Sequence, residues 1–343
     1  MTPTDTAELW SLVEGEGPLF ATALHDGHDL RPEVAQRMAL PEEVRLREED
    51  PFTGAWAVVA GTRMLPRWSR FEVDLNRPRD RAVYLRPEDA WGLRVWEEPP
   101  PDDLVARSLS QYDAFYAEAE RVLRSMAARE GRFVVFDLHS YNHRRAGPGA
   151  RFDAQSKHPD VNLGTASMHR ARWAPVVDRF VAELSACEDL GRRLDVRENI
   201  KFMGGNFSRW VHETFPEQGC SLAIELKKFF MDEWSGQLYT DQHRGILDAL
   251  RRAADGVREE LGRLELPPLQ PARPTDPAAV DYGDLVHGLW RCQSCGYEVL
   301  PRELAGMAAL PPFECPDCDE RLSYGRCATT SGRAGAPGDS SAG

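Results

Sequence analysis

The sequence lacks several features, and each absence excludes something. Over its 343 residues no apolar run approaches the roughly 18 residues that a membrane helix requires, so no membrane span is expected. The start, MTPTDTAELWSLVEGEGP, is acidic and carries neither the basic region nor the apolar core of a secretory leader, so a cytoplasmic location is expected. Positive charge is in deficit, with 42 Lys+Arg against 55 Asp+Glu and a net charge of -13. That balance argues against broad binding to nucleic acid or anionic membranes and leaves small molecules or peptides as ligands. Internal repeats are absent. Cysteine is sparse over most of the chain: Cys187 and Cys220 stand alone and are expected in the core, while the other five crowd into the last fifth.

What is present fits a globular protein, with 28% charged and 42% hydrophobic residues. Residues 1–265 alternate apolar, strand-like runs with amphipathic segments, the pattern of an α/β domain. Apolar positions recurring at three and four residues predict helices over Leu104–Arg129, Trp173–Ala186 and Gln242–Leu264. Residues 266–284 hold five prolines and no periodicity, and read as a semi-rigid linker. A small module over 285–327 follows, then a Gly/Ser-rich tail over 328–343 that reads as disordered.

Four apolar runs end on chemistry. PLFATALHDGH ends on His25, Asp26 and His28, and FEVDLNR on Asp74, Asn76 and Arg77. FVVFDLHSYNHRR delivers His139, and CSLAIEL delivers Glu225. In open α/β sheets the ligand crevice lies beyond the carboxyl ends of the strands, where residues distant in sequence meet. Two imidazoles and a carboxylate can hold Zn²⁺ and leave a place for water, whose pKa the metal lowers to about 7. Glu225 could then take a proton from water and return it to a leaving amine. Arg70 and Arg77, fork-shaped and always charged, could hold a carboxylate or steady an oxyanion. The bland alternatives are a histidine on a polar loop and a surface Asp74–Arg77 pair worth less than about 1 kcal/mol. Arg79, Asp80, Arg144 and Arg145 read as solvated. His143, His158, His169 and His212 read as polar contacts that could line a pocket, and Trp210 and Trp234 as packing.

Taken in order, HDGHDLRPE, SRFEVDLNR, FDLHSY, NLGT, MGGNFSR and LAIEL resemble the N-formylglutamate amidohydrolase family, over roughly Pro18 to Tyr239. The resemblance implies a mixed central sheet flanked by helices, as in zinc carboxypeptidases, and a zinc hydrolase that cleaves an amide of a small acidic N-acyl or N-formyl amino acid or peptide. It implies His25 and His139 as zinc ligands, with Asp50 in EEDPF as the second ligand and His28 as its rival. Glu225 resembles the general base. Arg70, Asn76 and Arg77 resemble a set that orients the substrate carboxylate and polarises the carbonyl. Gly204 and Gly205 match paired glycines that allow close backbone approach, with Asn206 and Arg209 bordering the pocket. The chain departs from the family pattern at Leu24 and Ala223. Phe230 stands in place of a tyrosine, which could remove a substrate hydroxyl contact, and YNHRR is unusually basic. These departures bear on the substrate more than on the reaction.

Cys292, Cys295, Cys315 and Cys318 form two C-x-x-C knuckles separated by 19 residues, a spacing in the zinc-ribbon range. Both knuckles also resemble those of rubredoxin, so the expected metal is zinc with iron as the alternative. A module this short needs a metal to fold, which makes the role of a staple the first reading. Docking of a protein partner, on a scaffold that has lost catalysis, or electron transfer is the other. Cys327 reads as a spare thiol.

Overall fold

The computed structural model describes residues 9–188, 190–265, 288–292, 298–299 and 322–326. In chain order the strands of the large sheet are β1 (Trp10–Val13), β2 (Leu19–Thr22), β3 (Thr62–Pro66), β4 (Phe133–Tyr141), β5 (Val161–Gly164), β6 (Val196–Glu198) and β7 (Gly219–Lys227). The helices are α1 (Pro32–Ala35), α2 (Glu42–Glu48), α3 (Asp102–Glu130), α4 (Ala174–Ser185), α5 (Asn206–Thr214) and α6 (Thr240–Arg263). The sheet order is β1-β3-β2-β4-β7-β5-β6. β3, β2, β4 and β7 run parallel, β1 pairs antiparallel to β3 and β5 antiparallel to β7, and β6 runs parallel to β5. This is the mixed α/β sheet that the sequence led us to expect.

Side-chain alternation along the central strands explains the two layers. Val134, Phe136 and Leu138 of β4, with Cys220, Leu222, Ile224 and Leu226 of β7, face a core that includes α4 and α6. Phe133 and Val135 face the opposite layer, with Tyr112, Phe115 and Met126 of α3 and Phe207 and Val211 of α5. That second face turns polar toward the carboxyl ends: the same parity of residues continues into Asp137 and His139 on β4, and into Ser221 and Glu225 on β7. Register pairs His139 with Glu225 and Asp137 with Ala223. Sheet geometry therefore sets a histidine beside a carboxylate without any loop.

The three long helices agree with the sequence expectation to within two residues. α3 buries a stripe running from Leu104 through Tyr112, Phe115 and Ala119 to Met126, and stops at Gly131, whose φ of 75° suits glycine. Two expectations need correction. FEVDLNR is a turn-rich loop after β3, because Ser69 Oγ accepts the N–H of Phe71 and Asp74 Oδ1 accepts that of Asn76, bonds that compete with a strand ladder. FVVFDLHSY does not end before its polar residues; β4 continues buried through Asp137, His139 and Ser140 to Tyr141.

Cys187 and Cys220 are buried. A separate antiparallel sheet has β8 (Gly288–Cys292) between β9 (Glu298–Val299) and β10 (Leu322–Arg326), with Cys292 at the end of β8. The linker, Cys295, Cys315, Cys318, Cys327 and the tail lie outside the described residues. No helix among the described residues is long and apolar enough to cross a membrane.

Phe136 is fully buried and meets Phe180 edge to face at 5.3 Å, whereas Phe152 is 66% exposed. In urea denaturation Phe136→Ala should lose about 3–5 kcal/mol, and Phe152→Ala should stay within about 0.5 kcal/mol of wild type.

Candidate active site

The carboxyl ends of β2, β4 and β7 open onto a cleft enclosing about 150 Å³. His25 follows β2 by three residues, and His139 lies in β4. Asp50 comes from the chain after α2. Its N–H donates to the carbonyl of His25 at 2.9 Å, and its own carbonyl accepts from Thr53 Oγ1 at 2.7 Å. Behind it, the buried ammonium of Lys228 donates to the carbonyls of Arg47 and Glu49 at 2.6 and 2.7 Å. That staple fixes the segment that presents Asp50.

Each histidine is held between two carboxylates. His25 donates through Nε2 to Asp74 Oδ1 at 2.8 Å, and its Nδ1 stands 3.3 Å from Asp50 Oδ2. His139 donates through Nε2 to Asp137 Oδ1 at 2.9 Å, and its Nδ1 stands 3.1 Å from the same Asp50 oxygen. All five side chains are buried. A neutral imidazole has one N–H and cannot donate to two carboxylates. With both Nε2–H groups already given away, these Nδ1–Oδ2 approaches suit a metal ion held between the Nδ1 atoms and Asp50.

The electrostatics agree. Burial alone would draw the His139 pKa down, yet the charges of Asp137 and Glu225 and the bonds to Asp137 and Asp50 raise it well above the usual histidine range. Burial would likewise raise Asp50, but its bonds with His139 and His25 hold it far below the ordinary carboxylate value. Asp74 is also held low: burial is outweighed by the charges of Arg70 and His25.

The donors of His25, Asp50 and His139 lie within 4.8 Å of one another, the metal-ligand grouping found among the described residues. Ligands about 2.0–2.1 Å from a tetrahedral zinc stand about 3.3 Å apart, close to the two Nδ1–Oδ2 separations seen here. With both Nε2–H groups committed to carboxylates, each ring presents its Nδ1 lone pair to the cluster, the usual outer support of a metal-ligating histidine. The residues fit such an ion. His28 stands apart from this group, pairing with Glu49 at 2.5 Å and with Arg45 at 3.2 Å. Position next to the cluster thus falls to Asp50.

The other sequence candidates also reach the cleft. Glu225, Arg70, Asn76, Arg77, Gly204, Gly205, Asn206 and Arg209 all line it. Arg70 donates from Nη2 to Asp74 at 2.8 Å, from Nη1 to the Glu48 carbonyl at 3.2 Å and from Nε to Tyr84 at 3.2 Å, and it lies 4.6 Å over Trp91. Three of its five donors are used, which locks the guanidinium and leaves N–H groups for a ligand. Asn76 Oδ1 accepts the Phe207 N–H at 3.0 Å and so caps α5, while Asn206 donates to Tyr112 and Tyr116. The glycines make room for neighbours. A Cβ on Gly205 would fall 2.2 Å from the Asn76 amide, and one on Gly164 would fall 2.4 Å from the Gly204 nitrogen.

Several residues differ from their sequence reading. Asp74 is not at the surface; it is fully buried between His25, Arg70 and Tyr84, with the charge of Arg77 also acting on it. Arg145, read as solvated, lines the cleft 3.4 Å from Glu48. His143, His158, His169 and His212 lie outside the cleft lining, and Phe230 packs in the core against Trp56. Glu48, Arg81, Trp91 and Lys228 line the cleft without having been singled out. Lys228 had a signal, since it directly follows a strand that reads as buried.

A model of the N-formylglutamate amidohydrolase family matches residues 17–231. The crystal structure of N-formylglutamate amidohydrolase from Ralstonia eutropha JMP134 is similar at a TM-score of 0.58 and 17% identity, covering 74% of this chain and 99% of that one. A gene product of Agrobacterium tumefaciens is similar at 0.55 and 16%, covering 75% of this chain and 98% of that one. At these identities the two structures speak for the fold. No curated protein matches the chain.

A carboxylate with a depressed folded pKa contributes stability above its unfolded value near 4 and loses it as pH falls. In metal-stripped protein, Asp74→Asn should lower the urea midpoint at pH 7. It should also flatten the decline that wild type shows below about pH 4. An unchanged acid limb would show that Asp74 is not held by this pairing.

Proposed function

Since the chain belongs to the N-formylglutamate amidohydrolase family, we propose that its cleft is the active site of a zinc-dependent enzyme that hydrolyses the amide of a small acidic N-acyl amino acid or peptide. The observation that carries this reading is the cluster itself: two histidines, each oriented by a buried carboxylate, converge on Asp50 one strand away from Glu225. Zinc held by His25, Asp50 and His139 would polarise the amide carbonyl and acidify water.

The chain's own groups supply the remaining steps. Glu225, opposite His139 on the next strand, takes the proton of the attacking water and returns it to the departing amine. Arg70, already locked by Asp74, Tyr84 and Trp91, turns its spare N–H groups to the oxyanion at no cost in reorganisation. Asn76 and Arg77 hold the substrate's carboxylate. Arg81 and Arg209, which line the same cleft, add to a local excess of positive charge that suits an acidic substrate. The enclosed space is small for a ligand pocket, typically about 300–1,000 Å³, and so favours a small molecule over a polypeptide.

For the C-terminal module we propose a closed structural zinc site made by Cys292, Cys295, Cys315 and Cys318, iron being the competing occupant.

Glu225→Gln should lower kcat on N-acyl acidic amino acids by about 10²–10⁴-fold while keeping the metal. Metal analysis should find one zinc fewer per chain in His25→Ala/His139→Ala. Wild-type turnover by Glu225→Gln would sink this mechanism, and an unchanged metal count would sink the site.

A further inference from the structure

The hydrogen bonding of the cluster continues behind Asp137. Asp137 Oδ1 accepts from His139, and its Oδ2 accepts from Ser208 Oγ at 3.0 Å. Ser208 Oγ lies 2.8 Å from Ser221 Oγ. The backbone N–H of Ser221 donates to His212 Nε2 at 2.9 Å, and His212 Nδ1 stands 2.9 Å from Ser167 Oγ. Asp137, Ser208, Ser221 and His212 are all buried.

Counting protons gives this chain a direction. An ionised carboxylate only accepts, so Ser208 gives its single hydroxyl proton to Asp137. Ser208 then offers only lone pairs to Ser221, whose hydroxyl must donate. His212 Nε2 accepts an N–H and so bears no proton, and burial lowers this histidine to about 3, which keeps the ring neutral. Its proton sits on Nδ1 and goes to Ser167. Both buried serine hydroxyls point toward Asp137, and hydrogen bonds aligned in this way polarise one another. The sequence makes the arrangement possible: Ser208 sits in the first turn of α5, and Ser221 lies on β7 beside Val135, on the face that α5 covers.

We infer that Ser208, backed by Ser221, is a positioning residue for the metal cluster: it completes the hydrogen bonding of Asp137 and so fixes the His139 ring with Nδ1 toward Asp50. The inference rests on the zinc site put forward under Proposed function. Its role is carried through Asp137 and His139, with no contact to substrate.

The test measures zinc affinity of the full chain by competition with a chromophoric chelator, taking as baseline the uptake of His25→Ala/His139→Ala. The thermal midpoint of the metal-stripped protein is measured alongside. Ser208→Ala should weaken zinc binding about 10–100-fold, the usual effect of losing an outer partner of a ligand. Ser108→Ala serves as control, because Ser108 is equally buried but bonds Arg31. It should keep wild-type zinc affinity at a similar thermal midpoint. Ser221→Ala should show a smaller loss than Ser208→Ala, and Ser208→Thr, which keeps the hydroxyl, should recover most of the affinity. Wild-type affinity in Ser208→Ala overturns the inference, as does a Ser208→Thr no better than alanine. If Ser208→Ala does not fold, wild-type affinity in Ser221→Ala overturns it instead. A wild-type chain with no zinc above the baseline defeats the site and this inference together, whereas intact wild-type binding with an indifferent Ser208→Ala defeats the inference alone.

Discussion

Two histidines, each caught between two buried carboxylates, impose the constraint on which the rest of this structure depends. Asp50, Asp74 and Asp137 are at most 3% exposed, and an unpaired charge at such depth costs several kcal/mol. Every neighbouring irregularity answers that cost. Half-buried Arg70 pairs Asp74, Tyr84 donates to the same carboxylate, and buried Lys228 holds the carbonyls that flank Glu48. Removing the imidazoles would take from Asp50 and Asp137 their histidine partners, while Asp74 keeps Arg70 and Tyr84. A cation shared by the rings and Asp50 makes the group self-consistent.

The central sheet separates stability from chemistry by parity. One face of β4 and β7 is apolar until Ser140 at the end of β4 and packs toward α4 and α6. The other face is apolar at its beginning, turns polar at Ser221 and Asp137 while still bonded to α5 through Ser208, and reaches the cleft at His139 and Glu225. A one-residue slip between these strands would exchange the two faces, so burial of Phe136 and Leu222 also sets the register of His139 against Glu225. The site inherits its precision from the core.

Parity is also why much of the site was legible in the sequence. Strands that read as continuous apolar runs with a polar finish point to a crevice, and His25, His139 and Glu225 could be named from that pattern. The long helices were legible because their periodicity is strong. FEVDLNR was misread because its alternation looks like a strand, while the bonds made by Ser69 and Asp74 turn it into a loop. Those bonds depend on partners that periodicity does not display. Arg145 could not be placed for the same reason: a charged residue after a strand reads as solvated until the carboxylate it serves comes into view. Asp50, far from any strand end, was reached only through the family resemblance.

The chain's overall charge and its cleft have opposite characters, and distance decides which a substrate meets. Net charge of -13 would repel an acidic ligand at long range, yet at physiological ionic strength fields fade over about 8 Å. Inside that range the lining presents Arg70, Arg77, Arg81, Arg145, Arg209 and Lys228 against the carboxylates of Glu48, Asp50, Asp74 and Glu225. A divalent ion at the cluster would tip that balance further toward positive. Low-dielectric walls strengthen what remains unscreened, so the field inside the cleft is set by its own lining. An acidic chain and a cleft lined by more cationic than anionic groups are therefore compatible, because screening separates their fields.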